Sequence, residues 1–207
     1  MSSNKTVVVN LGVANYGSMM NMLNRVGADA LLTDNAEQLK SAARIILPGV
    51  GSFDAVMSAL NNRPDLREVI EQRVLSEHIP FMGVCVGMQL LFSGSEEGNL
   101  PGLNWITGSI KKFSFPAELR LPVPHMGWNV VHALKRTALL SMDEKYKFYF
   151  AHSYRAIDVD EAQILASSDY GDTFISAVVK ENIFGFQFHP EKSHKFGMRL
   201  FQKFIEI

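Results

Sequence analysis

The sequence has few of the features that place a protein in a membrane or outside the cell. It holds one cysteine, Cys85, so no internal disulfide can form. The first residues, Met-Ser-Ser-Asn-Lys, lack the apolar core of a signal peptide, and no apolar run approaches the roughly 18 residues that a bilayer span needs. We therefore expect a cytoplasmic protein that works without a membrane.

Charge and motifs of a nucleic-acid-binding or nucleotide-binding protein are also missing. The 20 Lys and Arg residues nearly balance 21 Asp and Glu residues, which leaves a net charge of -1 and no dense basic run. The glycine-rich segment 48–52, Pro-Gly-Val-Gly-Ser, lacks the Lys-Ser/Thr of a P-loop and the third glycine of a dinucleotide-binding fingerprint. We expect no nucleic acid partner, no cofactor and no metal.

The first half of the chain alternates strands and helices. Its 207 residues, 47% of them hydrophobic, fit one domain covering residues 1–207. Alternation of this kind predicts an α/β fold with a largely parallel sheet, flanked by helices, whose ligands collect at the carboxyl ends of the strands. Predicted strands cover 6–11, 30–32, 44–47 and a segment that ends at Cys85, and predicted helices cover 18–26, 36–40 and 64–77.

The second half is richer in short β segments, with a helix at its end. Few of the gaps between these segments hold a crossover helix, so we expect antiparallel strands added to the same sheet. The predicted strands cover 105–113, 128–133, 147–154, 163–167, 174–179 and 183–188, and the closing helix covers 193–204.

The only cysteine stands where a predicted strand turns sharply into a helix that includes residues 88–92. A glycine lies two residues away on either side, in Gly83-Val84-Cys85-Val86-Gly87. This pattern is typical of a nucleophile elbow, in which a strained turn presents one side chain above the sheet. The alternative is a structural role, since a free cysteine often packs as a small buried hydrophobe.

A base and its orienting group for such a thiol stand in the segment 185–193, Gly-Phe-Gln-Phe-His-Pro-Glu-Lys-Ser. Pro190 favours an extended backbone at His189, and residues two apart in an extended segment point the same way, so Glu191 can face His189. An imidazole held by a carboxylate converts a thiol into the nucleophilic thiolate. Alternatively, His-Pro-Glu merely ends a strand and begins a helix with an acidic residue in its first turn.

The segment 48–52 follows a predicted strand and is a candidate oxyanion hole. The backbone amide of Gly51 and the amide after the nucleophile, that of Val86, would hold the charge that develops on a carbonyl oxygen. The alternative is an ordinary glycine turn.

Taken together, these segments resemble the class I (triad) glutamine amidotransferases over essentially the whole chain. The segments 124–129 (Pro-His-Met-Gly-Trp-Asn), 149–154 (Tyr-Phe-Ala-His-Ser-Tyr) and 95–98 (Ser-Glu-Glu-Gly) resemble, more narrowly, the HisH glutaminase subunits of imidazole glycerol phosphate synthase. The resemblance implies a flavodoxin-like fold and hydrolysis of L-glutamine to glutamate and ammonia. It also implies a heterodimer with a HisF-like (β/α)₈ cyclase subunit that receives the ammonia.

Residue roles follow from the resemblance, position by position. It implies that Cys85 is the nucleophile, His189 the acid and base, and Glu191 the residue that orients His189. The remaining positions divide into oxyanion amides at Gly51 and Val86, glutamine-binding residues at Gln89, Glu97, Ser153 and Tyr154, and residues toward the partner at His125, Trp128 and Lys192. On the residues alone, Trp128 favours a place in the core.

Two departures from the family pattern leave alternatives open. Asn10 stands at the end of the first strand, where the family commonly has an aspartate, and Val86 stands where leucine is usual. They admit a paralogue that supplies ammonia to amidino-sugar synthesis for surface polysaccharides instead of histidine synthesis. A free-standing thiol hydrolase and a catalytically silent binding subunit are further alternatives, and the complete set of Cys85, His189 and Glu191 argues against the second.

Overall fold

The computed structural model describes residues 4–207, and its first half follows the predicted alternation of strands and helices. The predicted helix 64–77 is one continuous helical segment whose last turn is a π-helical turn at Gln72–Ser76. The elements up to the cysteine are β1 (Thr6–Val9), α1 (Tyr16–Arg25), β2 (Ala30–Thr33), α2 (Ala36–Leu39), β3 (Arg44–Gly49), α3 (Phe53–Asn61), α4 (Pro64–Glu71) and β4 (Phe81–Cys85).

The second half consists mainly of strands, with one long helix at its end. Three 3₁₀ turns lie between these elements, at Ala117–Leu119, Glu161–Gln163 and Pro190–Lys192. The elements after Cys85 are α5 (Val86–Gln89), β5 (Ser109–Lys112), β6 (His125–Ala133), β7 (Tyr146–His152), β8 (Tyr154–Ile157), β9 (Ile164–Tyr170), β10 (Asp172–Lys180), β11 (Ile183–Phe186) and α6 (His194–Ile205).

The strands form one sheet that is parallel on one side and antiparallel on the other. Its main path runs β2-β1-β3-β4-β11-β10-β9-β6-β7, and β5 and β8 pair beside β10. The strands β2, β1, β3, β4 and β11 are parallel neighbours, which is the 2-1-3-4-5 order of flavodoxin-like folds with β11 in the fifth place. The predicted α/β fold class is therefore confirmed.

Three details differ from the prediction. The last strand, β11, is parallel to β4 and antiparallel to β10, so it belongs to the parallel half of the sheet. The helix after Cys85 is a single turn, Val86–Gln89, and residues 90–92 lie beyond it. Helix α3 was not predicted, although Ser52 is an N-cap and Phe53, Val56, Met57 and Leu60 stand at helical spacing, because the glycine segment before it was interpreted as a turn alone.

Helices cover both faces of the parallel strands and bury their apolar sides against them. Helix α1 packs on α6, whereas α4 packs on α2 and α3. The buried core includes all four residues of β1 and, in β4, Phe81 and Met82 at 0% exposure, as expected for parallel strands covered on both faces. Within residues 4–207, no helix is long and apolar enough to cross a membrane.

Candidate active site

The site lies at the carboxyl ends of β3, β4 and β11. Cys85 is the last residue of β4 and immediately precedes α5, with φ 55° and ψ -112°. An L-residue rarely adopts a positive φ, and one that is held there marks a strained position at which the surrounding structure fixes the side chain. The sharp turn that the sequence predicts at Cys85 is therefore present.

The flanking glycines let three backbone segments pack against this turn. A Cβ at Gly83 would lie 2.5 Å from the carbonyl oxygen of Gly87, and one at Gly49 would lie 2.9 Å from the Gly87 nitrogen. A Cβ at Gly87 would overlap the carbonyl oxygen of Leu47 outright. Any larger residue at these positions would push β3 and α5 away from Cys85.

His189 and Glu191 form a buried pair beside Cys85. Nδ1 of His189 lies 2.8 Å from Oε1 of Glu191, and the side chain of Cys85 lies close enough to interact with the imidazole. Only 3% of His189 and 8% of Glu191 are exposed. The expectation that Glu191 faces His189 is confirmed, and because Glu191 occupies Nδ1, Nε2 is the nitrogen that remains available to the sulfur.

The backbone of His189 is fixed from two directions. Its N–H donates to the carbonyl of Tyr149 in β7 at 2.8 Å, and its carbonyl accepts from the Ser193 hydroxyl at 2.6 Å. The same hydroxyl accepts from the N–H of Tyr149 at 3.0 Å. Since β11 lies next to β4, these bonds hold the imidazole at the elbow.

Electrostatics favour a charged imidazole at this position. Burial alone lowers the pKa of His189, but the Cys85 thiolate and the Glu191 carboxylate outweigh burial and raise the pKa above its usual value of 6.5. A protonated His189 next to an anionic sulfur is the arrangement of an activated thiol.

The glycine segment lies directly beside the elbow. Gly49 is the register partner of Cys85 in the β3–β4 pair, and Gly51 has a φ of +110°. The N–H of Val50 donates to the carbonyl of Val13 at 2.8 Å, which ties the segment to the loop after β1. Asn10 lies in this loop, and its Oδ1 accepts from the N–H of Gly12 at 3.1 Å.

A cavity of about 280 Å³ opens above Cys85, a volume suited to a small molecule. Eight residues predicted to take part in catalysis or glutamine binding line it together with Met126, Pro124 and His152. They are the predicted triad members Cys85 and His189, the oxyanion candidates Gly51 and Val86, and Gln89, Glu97, Ser153 and Tyr154. Lys192 also lines this cavity, whereas Glu191 lies behind His189.

Glu97 lines the cavity and also fixes the backbone at the edge of the cavity. Its Oε2 accepts from the N–H of Phe53, the first residue of α3, at 2.8 Å. From the other side, Asp54 accepts from the N–H groups of Asn99 and Leu100. The 95–100 loop and the beginning of α3 are therefore bound to each other, next to Gly51.

Tyr154 also lines the cavity, near the carboxylate of Glu97. Burial raises the pKa of its phenol, and the charges of Glu97 and Glu96 raise the pKa further. The neighbouring residue, Ser153, uses its carbonyl to accept from the N–H of Phe113 at 2.9 Å. Both residues are thus held at the junction of β7 and β8.

Gln187 contacts the elbow and was not singled out from the sequence. Its Nε2 lies 3.8 Å from Sγ of Cys85, and its Oε1 accepts from Nε2 of Gln89 at 2.9 Å. The sequence does indicate that Gln187 belongs to the site, because it lies two residues before His189 and therefore faces the same way in extended backbone.

The three residues that the resemblance places toward a partner lie in different settings. Trp128 is 41% exposed and stacks on His194, so the interpretation of Trp128 as a core residue was wrong. The side chain of His125 is buried, with 3% exposure, and contacts His152. Lys192 is exposed at the mouth of the cavity, with its Nζ 5.9 Å from the centre of the Tyr149 ring.

An exposed apolar strip runs along β6 beside the cavity. Met126, Trp128 and Val130 point to the same side of the strand and are 63%, 41% and 42% exposed. An exposed apolar surface of this kind is a candidate place for another molecule to bind. Within residues 4–207, no group of three metal-ligating side chains is placed to hold a metal ion.

Comparison with known sequences and structures agrees with this geometry. The family model of class-I glutamine amidotransferases matches residues 7–207. Imidazole glycerol phosphate synthase subunit HisH 2 of Pseudomonas aeruginosa is 47% identical over 202 residues, which is 97% of this chain and 98% of that protein. The subunit of the same name from Methanococcus maripaludis is 43% identical over 200 residues, 96% and 98% of the two chains.

Solved structures agree at the level of the fold. The structure of a glutamine amidotransferase superposes with a TM-score of 0.74 at 17% identity, over 97% of this chain and 99% of that one. The structure of PurLQS from Thermotoga maritima superposes with a TM-score of 0.73 at 20% identity, over 98% and 97%. The resemblance inferred from the sequence motifs is thus confirmed: the chain belongs to the class-I glutamine amidotransferase family, whose members are glutamine-hydrolysing enzymes, and it is similar to HisH subunits over nearly its whole length.

Proposed function

We propose that the chain is the glutaminase subunit of an imidazole glycerol phosphate synthase and that Cys85, His189 and Glu191 are its catalytic triad. The observation that carries the proposal is the buried His189–Glu191 pair at the strained cysteine, inside a cavity of small-molecule size. The names of the HisH relatives support the choice of the synthase and, with it, of histidine biosynthesis.

In the proposed reaction, the Cys85 thiolate attacks the side-chain carboxamide carbon of L-glutamine. The carbon–nitrogen bond then breaks, and His189 gives its proton to the nitrogen, which leaves as ammonia. The remaining glutamyl thioester is attacked by a water molecule whose proton His189 accepts. Cleavage of the carbon–sulfur bond releases glutamate and restores the thiolate.

The other residues that line the cavity take the roles that the family resemblance implies. The amides of Gly51 and Val86 hold the negative charge on the carbonyl oxygen of each tetrahedral intermediate. Gln89, Glu97 and the backbone around Ser153 and Tyr154 bind the amino-acid part of glutamine. Their support is that all of them line the same cavity as Cys85.

A partner that uses the ammonia is the second part of the proposal. We infer a heterodimer with a HisF-like (β/α)₈ cyclase that makes imidazole glycerol phosphate and AICAR from the channelled ammonia. Two observations support it: the relatives are named as subunits of a synthase, and the apolar strip on β6 borders the cavity. Of the three residues predicted to lie toward this partner, Trp128 and Lys192 are exposed, whereas the side chain of His125 is buried, so only the first two can contact the partner through their side chains.

Glutamine hydrolysis measured with and without the barrel subunit tests both parts. We expect slow glutamate release from the isolated chain, because partner docking completes the oxyanion segment, and stimulation of at least about tenfold by the partner. Rapid hydrolysis by the chain alone would contradict the coupling. High esterase or peptidase activity without stimulation would favour a free-standing thiol hydrolase.

The amidino-sugar pathway is a second candidate, favoured by Asn10 and Val86 where the family commonly has aspartate and leucine. Asn10 lies in the loop that accepts from Val50, next to the oxyanion segment. Co-purification from the native cell extract, followed by identification of the barrel subunit, separates the pathways. A cyclase of histidine synthesis supports the first proposal, and a sugar-pathway partner supports the second.

A further inference from the structure

A buried amide contacts the sulfur of Cys85 from the side of β11. Gln187 is 0% exposed, and its own N–H donates to the carbonyl of Ser176 in β10 at 3.0 Å, which fixes its backbone. Its side chain lies between two groups of the elbow, with Oε1 toward Gln89 and Nε2 toward Cys85. Gln89 and Cys85 are themselves only 3% and 5% exposed.

The direction of this amide follows from its partners. Nε2 of Gln89 donates to Oε1 of Gln187 at 2.9 Å, which leaves the amide nitrogen of Gln187 free for another acceptor. The amide nitrogen of Gln187 then points at the sulfur, 3.8 Å away. An N–H group that faces a sulfur stabilises the thiolate better than the thiol, because a hydrogen bond to a charged acceptor is the stronger one.

We infer that Gln187 is a further catalytic residue, which donates to the Cys85 thiolate and fixes the side chain of Gln89 at the same time. The inference rests on the proposed function, since it concerns the same nucleophile. His189 contacts the sulfur from one position and Gln187 from a second. The thiolate therefore has two protein donors in a site from which most solvent is excluded.

The single cysteine makes this inference directly measurable. Alkylation of the chain by iodoacetamide, followed by intact-mass spectrometry across a pH series, reports the thiolate fraction of Cys85 alone. Gln187→Glu retains an oxygen for Gln89 but replaces the N–H donor with a carboxylate oxygen. Gln187→Met removes the donor without adding charge and keeps an unbranched side chain of similar length.

We expect both variants to move the midpoint of alkylation upward by about one pH unit or more, which corresponds to the loss of one hydrogen bond to a charged group. We also expect glutamine turnover in the complex with the barrel subunit to fall about tenfold. Gln163→Glu is the matched control, because Oε1 of Gln163 accepts from the N–H of Thr107 away from the cavity. This control should keep the wild-type midpoint.

Unchanged midpoints in folded Gln187 variants would overturn the inference, and folding is checked by circular dichroism and thermal melting. If Gln187→Glu fails to fold, the midpoint of Gln187→Met decides in the same way. Failure of the proposed function gives a different result: the wild-type complex would then hydrolyse no glutamine, whatever the alkylation midpoints are.

Discussion

Two buried histidines, His125 and His152, are expected to make the folded chain sensitive to mild acid. They are 3% and 5% exposed, and Nδ1 of His125 lies 3.0 Å from Nε2 of His152. Aromatic rings surround the pair: His125 stacks on Tyr170 at 4.0 Å and on Phe150 at 4.9 Å between ring centres. Water therefore solvates a charge on either ring poorly.

The hydrogen bonds around the pair require both rings to be neutral. Nδ1 of His152 donates to the carbonyl of Tyr154 at 2.7 Å, and Nε2 of His125 accepts from the Asn129 amide at 3.3 Å. The bond between the rings then runs from His125 Nδ1–H to His152 Nε2. An added proton on either ring would displace one of these bonds, because each ring already uses its one acceptor nitrogen.

Burial lowers the pKa of His125 from 6.5 to about 4. The pKa of His152 is lowered to about 3, chiefly by burial and further by the nearby His125 and His189, although its bond to the Tyr154 carbonyl acts in the opposite direction. The unfolded chain thus binds more protons between about pH 4 and 6.5, so stability is complete above pH 6.5 and falls as pH falls. For His125 alone, acidification to about pH 5 removes about 2 kcal/mol of the free energy of unfolding.

Urea unfolding at about pH 7.5 and pH 5 measures this loss. His189 has the opposite effect, since its raised pKa makes the folded chain bind more protons, so the informative quantity is a difference between variants. We expect His125→Phe to lose about 2 kcal/mol less than wild type on acidification. His132→Gln, on the exposed side of the same strand, is the control and should lose as much as wild type. Equal losses in wild type and His125→Phe would refute the reasoning.

Three further predictions concern the triad, the elbow and the proposed partner surface. Glu191→Gln removes the carboxylate that holds His189, and glutamate release by the complex should fall at least about 100-fold, while an unchanged rate would exclude an orienting role. Gly87→Ala forces a Cβ into the Leu47 carbonyl and should lower the free energy of unfolding in urea by about 3 kcal/mol or more. The control Gly17→Ala, whose Cβ would have no neighbour closer than 3.9 Å, should change it little. Equal losses in the two variants would contradict the packing described at Cys85. Trp128→Ala should weaken binding of the barrel subunit about 30-fold, as measured by calorimetry. Leu75 is similarly exposed but lies in the π-helical turn, so Leu75→Ala should leave the affinity unchanged. The same affinity in both variants would place the interface elsewhere.

The fold class and the centre of the site followed from local patterns in the sequence. Alternating strand and helix signals predicted the parallel half of the sheet, and the glycines around Cys85 predicted the turn that its φ of 55° displays. The proximity of His189 and Glu191 also has a local cause, since two-residue spacing and Pro190 determine it.

Features that depend on contacts between distant parts of the chain could not be predicted from the sequence. The bond by which Glu97 accepts from the N–H of Phe53, 44 residues away, has no local signal in the sequence. The parallel pairing of β11 with β4 joins residues about a hundred positions apart. Alternation along β6 predicts which side chains share a face, but burial of His125 depends on Tyr170 and Phe150, which other strands supply.

The central claim is that Cys85 releases ammonia from glutamine for chemistry carried out in another chain. The most direct test compares product formation by the Cys85→Ala complex with glutamine and with ammonium salt as the nitrogen source. We expect the variant to lose glutamine-dependent synthesis and to keep ammonia-dependent synthesis at the wild-type rate, because only the thiol is missing. Continued synthesis from glutamine by the Cys85→Ala complex would contradict the account.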